Sequence, residues 1–126
     1  MTAAEVETVL AWHTALNAGD TYRLIALSTD DIEVGGPRGA GHGAELLRDW
    51  VARARIQLEP VRWQSEAGLV AVEQTARWQA PDGTRTEPQV VASIFRVADG
   101  KVTSVLRFGS MSEALEFARM QQSATE

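Results

Sequence analysis

The first third of the chain carries apolar side chains at helical spacing. Residues 3–18 bring one face together, made of Val6, Val9, Leu10, His13 and Leu16. A short second helix is predicted over TYRLIALS, and a third over roughly 43–55. Between them, Ile32 to Val34 predicts a short strand.

From residue 56 the apolar positions recur every second residue, which is typical of strands. Four strands are predicted near 57–66, 69–80, 86–98 and 101–109, and a short helix follows from Ser110. Helices followed by an antiparallel meander indicate an α+β fold, with the helices packed in a strongly bent antiparallel sheet. We expect residues 1–126 to form a single domain.

The boundaries of these elements carry specific turn and capping residues. Gly19 suits the left-handed cap that ends the first helix, and Asp20 can begin the second. Ser110 and Glu113 have the spacing of a capping box. Asp99-Gly100 has the chemistry of a hairpin turn.

Composition removes several classes of function. The net charge is −5 with scattered basic residues, which argues against a nucleic-acid partner. The chain has no cysteine, so thiol catalysis and zinc–thiolate sites are excluded. No apolar run is long enough to cross a membrane, and the acidic N-terminal segment is unlike a secretory signal, so a cytoplasmic location is expected.

The segment DIEVGGPRGAGHG holds five glycines and one proline before the third helix. Its glycines match neither the phosphate-binding GxxxxGK[ST] pattern nor GxGxxG after a parallel strand. We therefore interpret the segment as a tight connection at the mouth of the fold, with Pro37 stiffening one corner.

Several short motifs, in their order and spacing, resemble the NTF2-like superfamily, in its SnoaL-like and ketosteroid-isomerase-like branch. They are LNAGD (16–20), TDDIEV (29–34), GHG (41–43), PVR (60–62), FRV (95–97) and DGKV (99–102). The resemblance covers nearly the whole chain and implies a cone-shaped α+β fold. It also implies a homodimer formed through the sheet.

The resemblance leaves the activity open, because the catalytic positions differ from those of steroid isomerases. Gly36 stands where those enzymes carry the carboxylate base, and Trp12 and Ser93 stand where they carry acidic donors. The Asp-Arg-Asp arrangement of epoxide hydrolases is not visible either, since its last Asp would fall near Arg107. Ordinary ketosteroid isomerase activity is therefore not expected.

Strand alternation, combined with the resemblance, predicts which side chains line an apolar pocket. The predicted substrate-binding residues are Trp12, Val72, Gln74, Trp78, Val91, Ser93, Phe95 and Arg107. A few polar groups in an apolar cavity are typical of a small-molecule site. Trp63 could be a ligand platform, or part of the core or of a dimer interface.

Arg107 is the most informative of these residues, because a guanidinium keeps its charge and needs a partner. The partner could be an anionic ligand, water at an open mouth, or a protein carboxylate such as Glu33 or Glu87. A one-residue error in register would place Arg107 on the outside instead.

His13 lies at the centre of the apolar face of the first helix and has two interpretations. It is either a core histidine with a hydrogen-bond partner or the only available base inside the cone. His42 is expected to brace the third helix, and no metal-ligand spacing is present.

Three hypotheses follow for the function. The protein is an enzyme that isomerises, cyclises, dehydrates or hydrolyses a small hydrophobic substrate, with His13 as the catalytic base. Alternatively, it is a non-catalytic binder of such a molecule, neutral or anionic, or a dimeric interaction module. No metal, cofactor, nucleic-acid or membrane partner is expected.

Overall fold

The computed structural model describes residues 3–36, 39–54, 56–66, 69–78, 82–85 and 87–125. Within these ranges four helices surround one six-stranded sheet. The helices are α1 (Ala3–Ala18), α2 (Thr21–Ala26), α3 (Ala44–Ala54) and α4 (Met111–Thr125). The strands are β1 (Ser28–Gly36), β2 (Gly39–His42), β3 (Gln57–Glu66), β4 (Leu69–Arg77), β5 (Gln89–Ala98) and β6 (Lys101–Phe108).

The sheet has the strand order β2-β1-β6-β5-β4-β3. The last four strands of the chain form the predicted antiparallel meander. Strand β1 is the exception, because it runs parallel to β6. The α+β class is confirmed, and the single parallel pair is a detail that hydrophobic alternation does not reveal.

The glycine-rich segment forms more strand than its sequence pattern predicts. Strand β1 begins at Ser28, and β2 pairs with it antiparallel, so that Gly35 lies opposite Ala40. A Cβ atom at Gly35 would lie 2.6 Å from the Cα atom of Ala40, so this pairing requires glycine. Glycines carry no side chain, so the glycine-rich ends of β1 and β2 show no hydrophobic alternation. This is why the pattern predicts a loop here. The predicted corner at Pro37 lies outside the described residues.

The predicted helix boundaries are confirmed by their hydrogen bonds. Helix α1 ends in a Schellman motif, in which the amide groups of Gly19 and Asp20 donate to the carbonyl oxygens of Leu16 and Ala15. The Asp20 carboxylate then accepts the Arg23 amide of α2 at 3.1 Å. At α4, the Glu113 amide donates to Ser110 Oγ, while the Glu113 carboxylate accepts from the amide of Gly109.

Two separate apolar clusters lie on the two faces of the sheet. We call the side that packs against α1 the inner face and the side that packs against α4 the outer face. The larger cluster, on the inner face, joins α1, α2 and α3 to the sheet. The smaller cluster joins α4 to outer-face residues such as Ala71 and Ile94.

The outer face is therefore only partly exposed to solvent, whereas strand alternation alone would leave all of it exposed. Helix α4 buries one part of it, and the polar remainder includes Glu73, which forms a two-point ion pair with Arg62. Because cross-strand neighbours share a face, this pair places Arg62 outside and Trp63, the partner of Val72, on the inner side. Trp63 is 45% exposed there.

We expect Gly100→Ala to lower the free energy of unfolding by about 1–2 kcal/mol. Asp99 and Gly100 both have positive φ angles, 52° and 75°, as a two-residue hairpin turn requires. A Cβ atom at Gly100 would meet nothing within 4 Å, so the cost is conformational and not steric. Urea denaturation measures it, with Lys101→Ala as a control. An unchanged unfolding midpoint would contradict the turn geometry.

Candidate functional site

A cavity of about 780 Å³ opens between α3, the β1–β2 hairpin and the inner face of the sheet. Strand β1 contributes Val34, Gly35 and Gly36, and β2 contributes Gly39 and Gly41. The other lining residues are Leu46, Trp50, Leu58, Ser93, Val105 and Arg107. The glycine-rich segment is thus one wall of the cavity.

Two glycines of this wall, Gly36 and Gly41, lie close to other lining residues. A Cβ atom at Gly36 would lie 3.3 Å from the carbonyl oxygen of Arg107, and one at Gly41 would lie 2.5 Å from Leu46 Cδ2. A side chain at either position would therefore press against Arg107 or Leu46, which also line the cavity. Small residues here allow backbone to form the surface that a ligand would touch.

Two polar side chains, Ser93 and Arg107, stand together in the apolar lining. They are direct cross-strand partners on β5 and β6, so they share the inner face. Ser93 is 1% exposed, whereas Arg107 is exposed at the cavity mouth. Among the described residues, the Arg107 guanidinium makes no hydrogen bond or ion pair.

Neither of the two carboxylates considered as partners for Arg107 forms an ion pair with it in the described part of the chain. Glu33 accepts a hydrogen bond from Ser104 Oγ at 2.8 Å and lies 3.9 Å from His42 Nε2. Glu87 forms no ion pair with Arg107 in the described structure. Arg107 faces inward as predicted, since it lines the cavity opposite Ser93, and no carboxylate among the described residues pairs with its guanidinium.

The other predicted substrate-binding residues do not line this cavity. Four of them, Trp12, Val72, Gln74 and Phe95, are fully buried in the core, with an exposed fraction of 0%. Trp78 and Val91 are half-buried and pack against that core. Strand alternation identifies the inner face correctly, but it cannot tell that α1 fills the deeper half of the cone.

The deeper half is closed by aromatic packing around α1. The Trp12 ring lies edge-on to Phe95, with centroids 5.3 Å apart, and the His13 ring lies 5.1 Å from Phe95. Trp12 Nε1 donates to Ser28 Oγ at 3.1 Å. The indole N–H is thus satisfied inside the protein and does not point to a ligand.

His13 is held at both ring nitrogens. Its Nδ1 lies 2.8 Å from the carbonyl oxygen of Val9, and its Nε2 lies 2.8 Å from the amide nitrogen of Gln74. Burial lowers the pKa of His13 from 6.5 to about 4, against a smaller opposing effect of the Val9 hydrogen bond. The geometry is that of a neutral core histidine. Its role as a catalytic base remains a prediction, and His13 is not among the residues that line the cavity.

Leu46, Trp50, Leu58 and Val34 are lining residues that the sequence reasoning did not assign to the site. Trp50 lies on the same α3 surface as the buried Leu47, so its spacing indicates only a core residue. Its half-buried position beside an open volume depends on how far α3 stands from the sheet. Hydrophobic spacing carries no information about that distance.

The His42 side chain is 65% exposed, and its Nε2 lies 3.9 Å from Glu33 Oε2 on β1; its role in bracing α3 stays a prediction. Gly43 directly precedes α3, and its carbonyl oxygen accepts the Leu47 amide at 3.3 Å. Within the described residues, no group of three or more histidine, cysteine or acidic side chains could hold a metal ion. None of the described helices is both long and apolar enough to span a membrane.

The strand order, the helices on the inner face and the cavity define an NTF2-like cone of the ketosteroid-isomerase-like type. The family model of the SnoaL-like domain matches residues 9–105 of this chain. The chain therefore belongs to the SnoaL-like domain family. No curated protein matches it in sequence.

Solved structures share this fold at low sequence identity. TerC, co-crystallised with polyporic acid, is 18% identical, with 90% of this chain and 99% of that chain covered and a TM-score of 0.73. A candidate polyketide cyclase from Xanthomonas campestris is 19% identical (90% and 95% covered, TM-score 0.72). A hypothetical protein from Catenulispora acidiphila, in complex with trimethylamine, is 19% identical (89% and 92% covered, TM-score 0.69).

Proposed function

We propose that this SnoaL-like protein binds a small hydrophobic organic molecule in the cavity beside the glycine-rich hairpin. The observation that carries the proposal is the cavity itself, with about 780 Å³ and an apolar and glycine lining interrupted by Ser93 and Arg107. Volumes of roughly 300–1,000 Å³ with a few polar groups are typical of small-molecule sites. A cytoplasmic location and a homodimer remain predictions.

Binding is favoured over acid–base catalysis by the chemistry of the lining. Among the described lining residues, none is a carboxylate, histidine or tyrosine. His13 is separated from the cavity by Gln74 and Ser93, and its Nε2 lone pair already accepts a hydrogen bond. A general base must come within hydrogen-bond reach of the proton it removes.

Catalysis in the manner of a cyclase or isomerase is the second candidate, and Arg107 is the observation that favours it. A guanidinium that pairs with no described residue, at the mouth of an apolar cavity, can stabilise a developing enolate oxygen. The candidate cyclase with the same fold is consistent with such chemistry. In that case the proton acceptor would be water or the substrate itself.

The binding proposal predicts that filling the cavity lowers the affinity for its ligand. Isothermal titration calorimetry would be run with neutral 2-acetonaphthone and anionic 2-naphthylacetate as probes. Val34→Phe places an aromatic ring in the lining, and we expect it to weaken both probes by more than about tenfold, since overpacking costs about 1–3 kcal/mol.

Val90→Phe is the matched control, because Val90 is 61% exposed and pairs with Thr75 on the outer face. It should leave both affinities unchanged. If the wild-type protein binds neither probe, or if Val90→Phe weakens binding as much as Val34→Phe, the cavity is not the binding site.

A further inference from the structure

A chain of hydrogen bonds leads from the cavity wall into the core. Ser93 Oγ lies 2.8 Å from Gln74 Oε1, Gln74 Nε2 lies 2.8 Å from His13 Nε2, and His13 Nδ1 lies 2.8 Å from the oxygen of Val9. The three side chains are at most 1% exposed. Of these residues only Ser93 also lines the cavity.

The direction of every bond in this chain is determined by the carbonyl group of Val9. A carbonyl oxygen only accepts, so His13 Nδ1 must carry the hydrogen, and Nε2 of the neutral ring must then accept. Gln74 consequently donates from its amide nitrogen to His13 and turns its amide oxygen toward Ser93. The hydroxyl hydrogen of Ser93 is therefore committed to Gln74.

Ser93 can offer the cavity only an acceptor, because its single hydrogen is used in the core. Its cross-strand partner Arg107 has the opposite character, since a guanidinium only donates and stays positively charged. Directly opposite positions in a sheet have Cβ atoms about 4.5–5.5 Å apart. The two side chains thus start close together in the cavity lining. At one end of a ligand, Ser93 would bind a donor and Arg107 an anion.

We infer that the ligand carries a hydroxyl or N–H donor next to an anionic oxygen, on an otherwise apolar body. The donor binds Ser93 Oγ, and the anionic oxygen binds the Arg107 guanidinium. Hydrophobic hydroxy acids and enolic dicarbonyl compounds have this chemistry. This inference rests on the proposed binding function and specifies the ligand class for the same cavity.

The assignment gives His13 and Gln74 a positioning role. Neither touches the ligand, but together they prevent Ser93 from donating into the cavity. A carboxylate facing Ser93 would meet an oxygen that has no hydrogen to offer, so Ser93 rejects a second acceptor there. Specificity of this kind arises because an unpaired polar group in a closed site is costly.

The test compares three probes with the same body by isothermal titration calorimetry at neutral pH. All three carry a carboxylate. The first, 2-naphthylglycolate, has a hydroxyl beside it; the second is the methyl ether of that hydroxy acid; the third, 2-naphthylacetate, has neither the hydroxyl nor the ether. We expect the hydroxy acid to bind about 3–10-fold more tightly than 2-naphthylacetate and more tightly still than the methyl ether.

Two variants separate the contributions of the polar pair. Ser93→Ala should remove the preference for the hydroxy acid, so that the ratio of its affinity to that of 2-naphthylacetate falls to about one. Arg107→Gln should weaken all three acids by about tenfold or more, because they share the carboxylate. Ser104→Ala and Arg77→Gln are the matched controls, since Ser104 is also a buried hydrogen-bonded serine and Arg77 is also exposed, but neither lines the cavity.

His13→Phe tests the positioning role, because it frees the Gln74 amide to rotate and Ser93 to donate. The preference for the hydroxy acid over the methyl ether should then shrink. Equal or tighter binding of the methyl ether to the wild-type protein would overturn the inference, whether or not His13→Phe folds. Because the neutral probe 2-acetonaphthone reports cavity occupancy separately, its binding would show that the proposed function survives such a result.

Discussion

Lowering the pH from 6.5 to 4 is expected to reduce the free energy of unfolding by about 3 kcal/mol through His13 alone. Burial holds the pKa of His13 at about 4 in the folded protein, against 6.5 as its ordinary value. Between these values the unfolded chain binds a proton that the folded protein does not. Stability from this group is therefore complete above pH 6.5 and is lost as the pH falls toward 4.

The measurement is urea denaturation at several pH values in that range, for the wild-type protein and for His13→Gln. Other groups also titrate there, so the informative quantity is the difference in slope between the two proteins. His42→Gln is the control, because it removes the other histidine of the chain, whose side chain is 65% exposed. Parallel pH profiles for the wild-type protein and His13→Gln would show that His13 titrates normally.

Trp12→Ala is expected to lower the free energy of unfolding by about 3–5 kcal/mol. Trp12 has an exposed fraction of 0%, contacts Phe95 edge-on and donates its indole N–H to Ser28. Removing the ring leaves a large void where α1 meets the sheet. Urea denaturation measures the loss.

Ligand affinity distinguishes this structural role from the binding role predicted for Trp12. Trp12→Phe should retain most of the packing and leave the affinity for 2-naphthylacetate unchanged. Trp50→Phe is the matched variant, because Trp50 is a tryptophan that lines the cavity, and it should weaken binding several-fold. An equal loss of affinity in both variants would mean that the ligand reaches α1.

The position of the cavity explains how the site differs from the steroid-isomerase arrangement that the sequence resembles. Gly36 and Ser93, at the positions of the carboxylate base and of one acidic donor, both line the cavity. Trp12, at the position of the other donor, is closed off in the core. The polar side chains of the cavity lining are Ser93 and Arg107.

The sequence alone determined the elements and their boundaries wherever a local rule applies. Gly19 and Asp20 join α1 to α2, and Asp99-Gly100 joins β5 to β6, because these residues favour backbone conformations that few others adopt. The alternation in β4 also identified the inner face with Gln74, whereas for Ser93 on β5 the family resemblance was needed as well. These features depend on neighbours in the chain, so they can be derived without the fold.

Only the tertiary structure decided how deep each inner-face residue lies and which polar groups meet. His13 and Gln74 are 61 residues apart in the chain, and their contact, which directs the Ser93 hydroxyl away from the cavity, exists only after α1 docks on the sheet. The glycine wall likewise follows from the approach of β2 to β1, where the glycines at 35, 36, 39 and 41 leave no hydrophobic alternation to read. The spacing of residues along the chain indicates which face of the sheet a side chain lies on. How deeply it is buried and which groups it bonds depend on the distance between the packed helices and strands.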